Sequence, residues 1–175
     1  MSDLILVPNS NISATRMYGV PNTSYTSVDG GLSYNDSDYV YTTAVNSGIA
    51  VYGLTAPSEL SATIDRVHIY ARTRSENAAY IFGYNVGFVI GGTIYNGTNT
   101  GFHDVSWVNR YQTWATNPNT GHSWTWSGLS GISLILTLTS NGSAAVYCSE
   151  LYAKVDYTLT TTSFIKSIMR TKRIP

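Results

Sequence analysis

The sequence predicts an all-β fold, a two-sheet antiparallel sandwich of the jelly-roll type with about eight strands. Three observations carry this. Apolar and polar side chains alternate with period two through most of the chain, as in Val67, Ile69 and Ala71 against His68, Tyr70 and Arg72. Residues that accept positive φ punctuate the runs: Asp29-Gly30-Gly31, Asn46-Ser47-Gly48, Gly91-Gly92, Asn96-Gly97, Asn119-Thr120-Gly121 and Asn141-Gly142. Nowhere does a helical apolar stripe with capping residues extend over three turns. An immunoglobulin-like sandwich is the alternative architecture.

In chain order, strands are expected near 3–7, 38–45, 49–54, 63–74, 80–90, 103–113, 132–139 and 144–158. Leu134, Leu136 and Leu138 form one inward row, and Leu151, Ala153 and Val155 another. Gly83 and Gly87 fall inside a strand run and predict a bulge or kink. Residues 8–36 hold few apolar side chains and predict a long loop or arm. In 122–131, Ser123 or Thr125 is placed to cap one helical turn. Alternation in Trp124-Thr125-Trp126 sends both indoles to one face, and inward is the expected one. The expected organisation is one domain over 1–157, followed by a C-terminal arm over 158–175.

Composition narrows the function. Only 11% of the 175 residues are charged, against about 25% in an ordinary domain. A polar, weakly charged surface loses little desolvation energy on contact with another protein, because ionic groups are the costly ones to dehydrate. The net charge is zero, which argues against a nucleic-acid binder and favours self-association. The lone cysteine, Cys148, has no disulfide partner and lies in a strand pattern as a small apolar group. The N-terminal run lacks a basic leader segment, and no apolar stretch has membrane-span length, so synthesis and folding in a cytoplasm are expected, with no membrane partner.

No catalytic pattern stands out. His68, His103 and His122 are scattered without metal-ligand spacing, and no nucleophile elbow or phosphate loop occurs. Asp29, Asp36 and Asp38 are weighed as a calcium site, but Asx turns explain them more simply. The expectation is therefore no enzyme, no catalytic or metal residues and no cofactor. Aromatics are the richest feature: 14 Tyr and 4 Trp. Trp107 and Trp114 accompany Trp124 and Trp126, while Tyr39, Tyr41, Tyr52, Tyr70, Tyr80, Tyr84, Tyr95, Tyr111, Tyr147 and Tyr152 spread over the strands. Such rings serve interfaces, sugar stacking or core filling.

The tail is basic and apolar together. After Asp156, the last acidic residue, come Lys166, Arg170, Lys172 and Arg173, interleaved with Phe164, Ile165, Ile168, Met169 and Ile174. Extended at about 3.3 Å per residue, it would reach roughly 60 Å. Phe164, Ile165, Lys166, Ile168, Met169, Arg170, Lys172 and Arg173 are the expected partner-binding residues.

Three segments carry a resemblance. Pro118-Asn119-Thr120-Gly121-His122-Ser123-Trp124-Thr125-Trp126-Ser127-Gly128-Leu129 resembles a P-x-T-G-x-x-W-T-W-x-x-L segment of β-sandwich (jelly-roll, lectin-like) structural proteins of tailed bacteriophages. Val28-Asp29 with Asn35-Asp36-Ser37-Asp38-Tyr39-Val40, and the strand from Val146 to Tyr157, are similar to two further segments of that group. The resemblance implies a virion structural role, of head-decoration or fibre type, and brings no catalytic residues. The leading expectation is a capsid decoration or cement protein on the virion head surface. It would bind the major capsid protein or other virion proteins as a homo-oligomer, a trimer favoured. The alternatives are a carbohydrate-binding module for host adsorption, with glycans as partners, and a tail or neck component.

Overall fold

The computed structural model describes residues 2–20, 25–31, 33, 35–43, 47–58, 61–140 and 144–159. In chain order the strands are β1 (Ser2–Leu6), β2 (Pro8–Thr15), β3 (Tyr18–Val20), β4 (Tyr39–Thr42), β5 (Gly48–Leu54), β6 (Ala62–Ser75), β7 (Phe82–Ile90), β8 (Thr93–Asn96), β9 (Thr100–Phe102), β10 (Val108–Trp114), β11 (Ser133–Ser140) and β12 (Val146–Leu159). One helical turn, α1 (Trp126–Leu129), precedes β11.

They form two antiparallel six-stranded sheets, as the period-two alternation predicts. The first runs β10-β6-β12-β4-β3. β6 follows one flank of β12 over nearly its whole length, while β4 takes the start of the other flank and β1 its later part. The second runs β2-β5-β11-β7-β8, with β9 also on β7. Between them lies one core. Val67, Ile69 and Ala71 of β6 and Leu151, Ala153 and Val155 of β12 face Phe82, Val86 and Phe88 of β7 and Leu134, Leu136 and Leu138 of β11. Cys148 is fully buried among them, and burial pushes its thiol up to about 12, an inert apolar role.

The two indoles of the Trp-Thr-Trp segment do turn inward. Trp124 donates from Nε1 to the Trp114 carbonyl at 3.0 Å, and Trp126 to the Ala62 carbonyl at 2.8 Å. Each tethers the segment to a different strand while its ring closes the end of the core. Thr125 caps the turn: its Oγ1 accepts from the Gly128 N–H at 3.0 Å.

Three expectations are corrected. Residues 8–36 are not one loop, because β2 and β3 lie within them. β2 is an edge strand exposed along nearly all its length, so it is held by backbone pairing to β5 and shows no apolar alternation. The strands among the described residues number twelve rather than about eight, since β3, β8 and β9 span only three or four residues each, too short for a periodic pattern. Gly83 and Gly87 sit in regular register with Thr139 and Ile135, without a bulge. Gly87 is required by approach: a Cβ there would lie 2.3 Å from the Tyr95 carbonyl oxygen of β8. Gly91 and Gly92, at φ 58° and 82°, make the β7–β8 hairpin turn that their pairing signals.

Phe88 meets Trp114 and Trp124 edge-on, at 5.0 and 5.2 Å between ring centroids. Phe88→Ala should therefore remove about 3–5 kcal/mol of stability, read as a lower urea midpoint with an unchanged m-value. A midpoint near wild type would show that these rings do not hold the sandwich end.

Candidate functional site

Edge strand β10 carries polar side chains on both faces. Arg110, Gln112 and Trp114 are in register with the inward-facing Ala71, Ile69 and Val67 of β6, so they project into the mouth between the sheets. Arg110 lies over the Phe102 ring at 4.4 Å, bonds Thr73 Oγ1 at 2.9 Å and pairs with Asp104. Gln112 clasps the backbone of the β8–β9 loop: Oε1 accepts from the Thr98 N–H at 2.8 Å and Nε2 donates to the Thr98 carbonyl. Behind them burial pushes the Tyr84 hydroxyl up, opposed by hydrogen bonds with Thr100 and Gln112 and by the Arg110 charge.

This clasp leaves a cleft of about 420 Å³ lined by Asn96, Gly97, Thr98, Thr100, Gln112, Thr113 and Trp114. The volume suits a small-molecule site. None of the lining residues is ionisable. Thr113 alternates to the outer face of the sheet, where its Oγ1 lies 2.8 Å from His68 Nδ1, and His68 Nε2 lies 3.1 Å from Asp156 Oδ2. Burial opposes ionisation of Asp156, but hydrogen bonds from His68 and Lys154 hold its carboxyl below the usual range. The Asp156 carboxylate accepts from His68 Nε2–H, and the other ring nitrogen faces the Thr113 hydroxyl.

Beside the cleft, the outer face of the first sheet is paved with rings. Tyr152, Tyr70 and Tyr111 stack across β12, β6 and β10 with centroids 5.0 and 5.1 Å apart, close to the interstrand spacing. Tyr152 is buried under the stack, whereas Tyr111 is 57% exposed. At the far end of the face Tyr18, Tyr39, Tyr41, Trp107 and Tyr147 form a second cluster. Tyr52 and Tyr84 instead turn into the core.

Between the clusters, Glu150 is buried at the bulge in β12. Oε1 accepts from the Asn35 N–H at 3.1 Å, and a Cβ at Gly30 would lie 2.5 Å from the same oxygen, so Gly30 and Asn35 are pressed onto this carboxyl. Burial pushes Glu150 up to about 7, helped by the Asp29 and Asp36 charges and opposed by the Asn35 N–H and Arg72. Asp36 is engaged by Arg72 Nε and Nη2, each at 2.8 Å. Among the described residues, no three His, Cys, Asp or Glu side chains come together as metal ligands.

The expected arm residues Phe164, Ile165, Lys166, Ile168, Met169, Arg170, Lys172 and Arg173 lie outside the described residues; β12 itself runs to Leu159. Composition pointed to the aromatic face but missed the cleft. Its one sequence trace is the polar pair Arg110 and Gln112 at core-facing positions, next to the Asn96-Gly97 turn.

No family model matches the chain, and no curated protein matches it. Among solved structures it is similar to a family 35 carbohydrate-binding module from Clostridium thermocellum, at 14% identity and a TM-score of 0.48, over 89% of this chain and 98% of that one. It is also similar to the CBM22-1 xylan-binding domain of Paenibacillus barcinonensis Xyn10C, at 15% identity and a TM-score of 0.41, over 73% and 77%. A third likeness is to the enzymatically active domain of bacteriophage CBA120 tailspike protein 4, at 8% identity and a TM-score of 0.44, over 88% of this chain but 19% of that one. At these values the likenesses assign the chain neither a family nor a ligand.

Glu150 makes stability pH-dependent with a definite sign. Its folded pKa, about 7, exceeds its ordinary 4.5. Its contribution is therefore fully present below the lower value and is lost as pH rises through the upper one. Asp36 and Asp156, both lowered from 3.8, titrate below this window. The melting temperature should fall between pH 5 and about 8, and Glu150→Gln should flatten that slope in a thermal-denaturation series. An equal slope in the variant would contradict this role for Glu150.

Proposed function

We propose that the chain is a carbohydrate-binding, lectin-like sandwich domain that holds a neutral glycan in the cleft beside β10. The observation that carries this is a lining of uncharged amides and hydroxyls with one indole, Trp114, next to the exposed Tyr111. Sugar hydroxyls both donate and accept, as do Asn96, Thr98 and Gln112. Pyranose C–H faces pack on aromatic rings. An uncharged lining meets an uncharged ligand without dehydrating an ion. The role is binding rather than catalysis.

A glycan array followed by calorimetry with the neutral oligosaccharides retained on it tests the reading. Asn96→Ala and Tyr111→Ala, at exposed positions, should each weaken binding by about 5- to 100-fold without changing the melting temperature. A folded protein that retains no neutral glycan, or retains it unchanged in both variants, would overturn the cleft.

The composition of 160–175 supports a second role. Its four cations and apolar side chains suit a docking segment on an acidic capsid surface, as expected of a bacteriophage head-decoration protein binding the major capsid protein as an oligomer. Deletion of 160–175 should leave the melting temperature in place and abolish capture by purified phage heads. Unchanged capture counts against the segment.

A further inference from the structure

Arg74 lies on the outer face of the first sheet, in register with Tyr147 of β12. Its guanidinium carbon stands 4.2 Å from the Tyr147 ring centroid and 5.1 Å from that of Trp107. Tyr39 meets Tyr147 edge-on at 5.2 Å, so the group is walled by rings. The neighbouring carboxylates are already engaged. Asp36 is held by both Nε and Nη2 of Arg72, and Glu76 Oε2 accepts the Ala145 N–H at 2.7 Å. Among the described residues Arg74 itself makes no hydrogen bond and no ion pair. Among the described residues its printed contacts are the ring faces of Tyr147 and Trp107, and Asp36 feels its charge through space without bonding to it.

A guanidinium packed against aromatic rings presents a fork of N–H donors whose geometric complement is a carboxylate. One fork matches one planar monoanion; a phosphate dianion calls for a second cation, and the adjacent Arg72 is already taken by Asp36. The surrounding rings, with Tyr18 49% exposed at the rim, supply apolar faces for a sugar. We propose that Arg74, with the rings of Tyr147 and Trp107, forms a second glycan subsite that takes the carboxylate of an acidic sugar of the uronate or sialate class. The subsite is distinct from the cleft. Six residues of β6 separate Arg74 from His68, or about 20 Å at strand spacing. The inference rests on the glycan-binding reading for the ligand being a sugar, not for the carboxylate contact.

Calorimetry with tri-galacturonate and its methyl ester, and with sialyllactose and lactose, tests it on the full chain. At least one acid should bind about tenfold or more tighter than its neutral counterpart. Arg74→Gln should erase that difference, and Arg74→Lys should keep only part of it, because the charge stays and the fork is lost. If Arg74→Gln alters the melting temperature, Arg74→Lys carries the test. Equal binding of acid and ester, survival of the difference in Arg74→Gln, or equally tight binding of a sulfated glycan or a glutamate-rich peptide would overturn the proposal. Asn96→Ala separates the two sites. Loss of neutral binding with an Arg74-dependent acid preference supports both. An Arg74-dependent acid preference without any neutral binding supports this subsite and removes the cleft. Neutral binding without acid preference removes this subsite alone.

Discussion

The antiparallel ladder between β6 and β12 is the constraint on which the other elements depend. The two strands run together from Ala62 opposite Leu159 to Ser75 opposite Val146. Each alternate position has a consequence. Inward, Val67, Ile69, Ala71, Leu151, Ala153 and Val155 give the first sheet its half of the core. Outward, Arg74 meets Tyr147, Tyr70 meets Tyr152 and His68 meets Lys154, so the same register assembles the surface. Because side chains alternate strictly, a one-residue slip would move the aromatic face into the core and the core to solvent. The bulges between Cys148 and Glu150 and between Asp156 and Tyr157 add the only irregularities. The first places Glu150 under Gly30 and Asn35.

Edge strand β10 shows how a sandwich gains a site without a dedicated domain. Central strands bury apolar residues against the facing sheet, but β10 lies over the open side, opposite the short β8 and β9. Long polar side chains fit there because their ends reach backbone groups that would otherwise be left unpaired. Gln112 satisfies the Thr98 amide and carbonyl, and Arg110 satisfies Thr73 and Asp104. Trp114 completes the row by meeting Phe88 edge-on while its carbonyl receives the Trp124 indole N–H. The cleft is thus a by-product of closing the mouth with hydrogen bonds instead of hydrocarbon, which is why its lining is polar and uncharged.

Electrostatics divides the outer face into regions with different tasks. His68, Lys154 and Arg66 surround Asp156 at one end. Arg72 and Asp36 neutralise each other in the middle, over a Glu150 that favours its protonated form. Arg74 is met by the rings of Tyr147 and Trp107, and its charge reaches Asp36 only through space.

The sequence by itself determined the class of fold, the inward rows of β6, β11 and β12, a helical cap at Ser123 or Thr125, and the burial of Trp124, Trp126 and Cys148. These follow from alternation and capping, which act between near neighbours and are written locally. It did not reveal β2, whose exposed residues have no pattern because its pairing is made by backbone, nor β3, β8 and β9, which are too short to show one. It named the tyrosines but did not separate Tyr52 and Tyr84, which face the core, from Tyr111 and Tyr147, which face solvent. Only the tertiary structure decided which rings share a face, that Gln112 reaches Thr98, and that Arg72 takes the carboxylate Arg74 lacks. Those relations join residues far apart in the chain through the register of paired strands, and register is a property of two segments that neither carries alone.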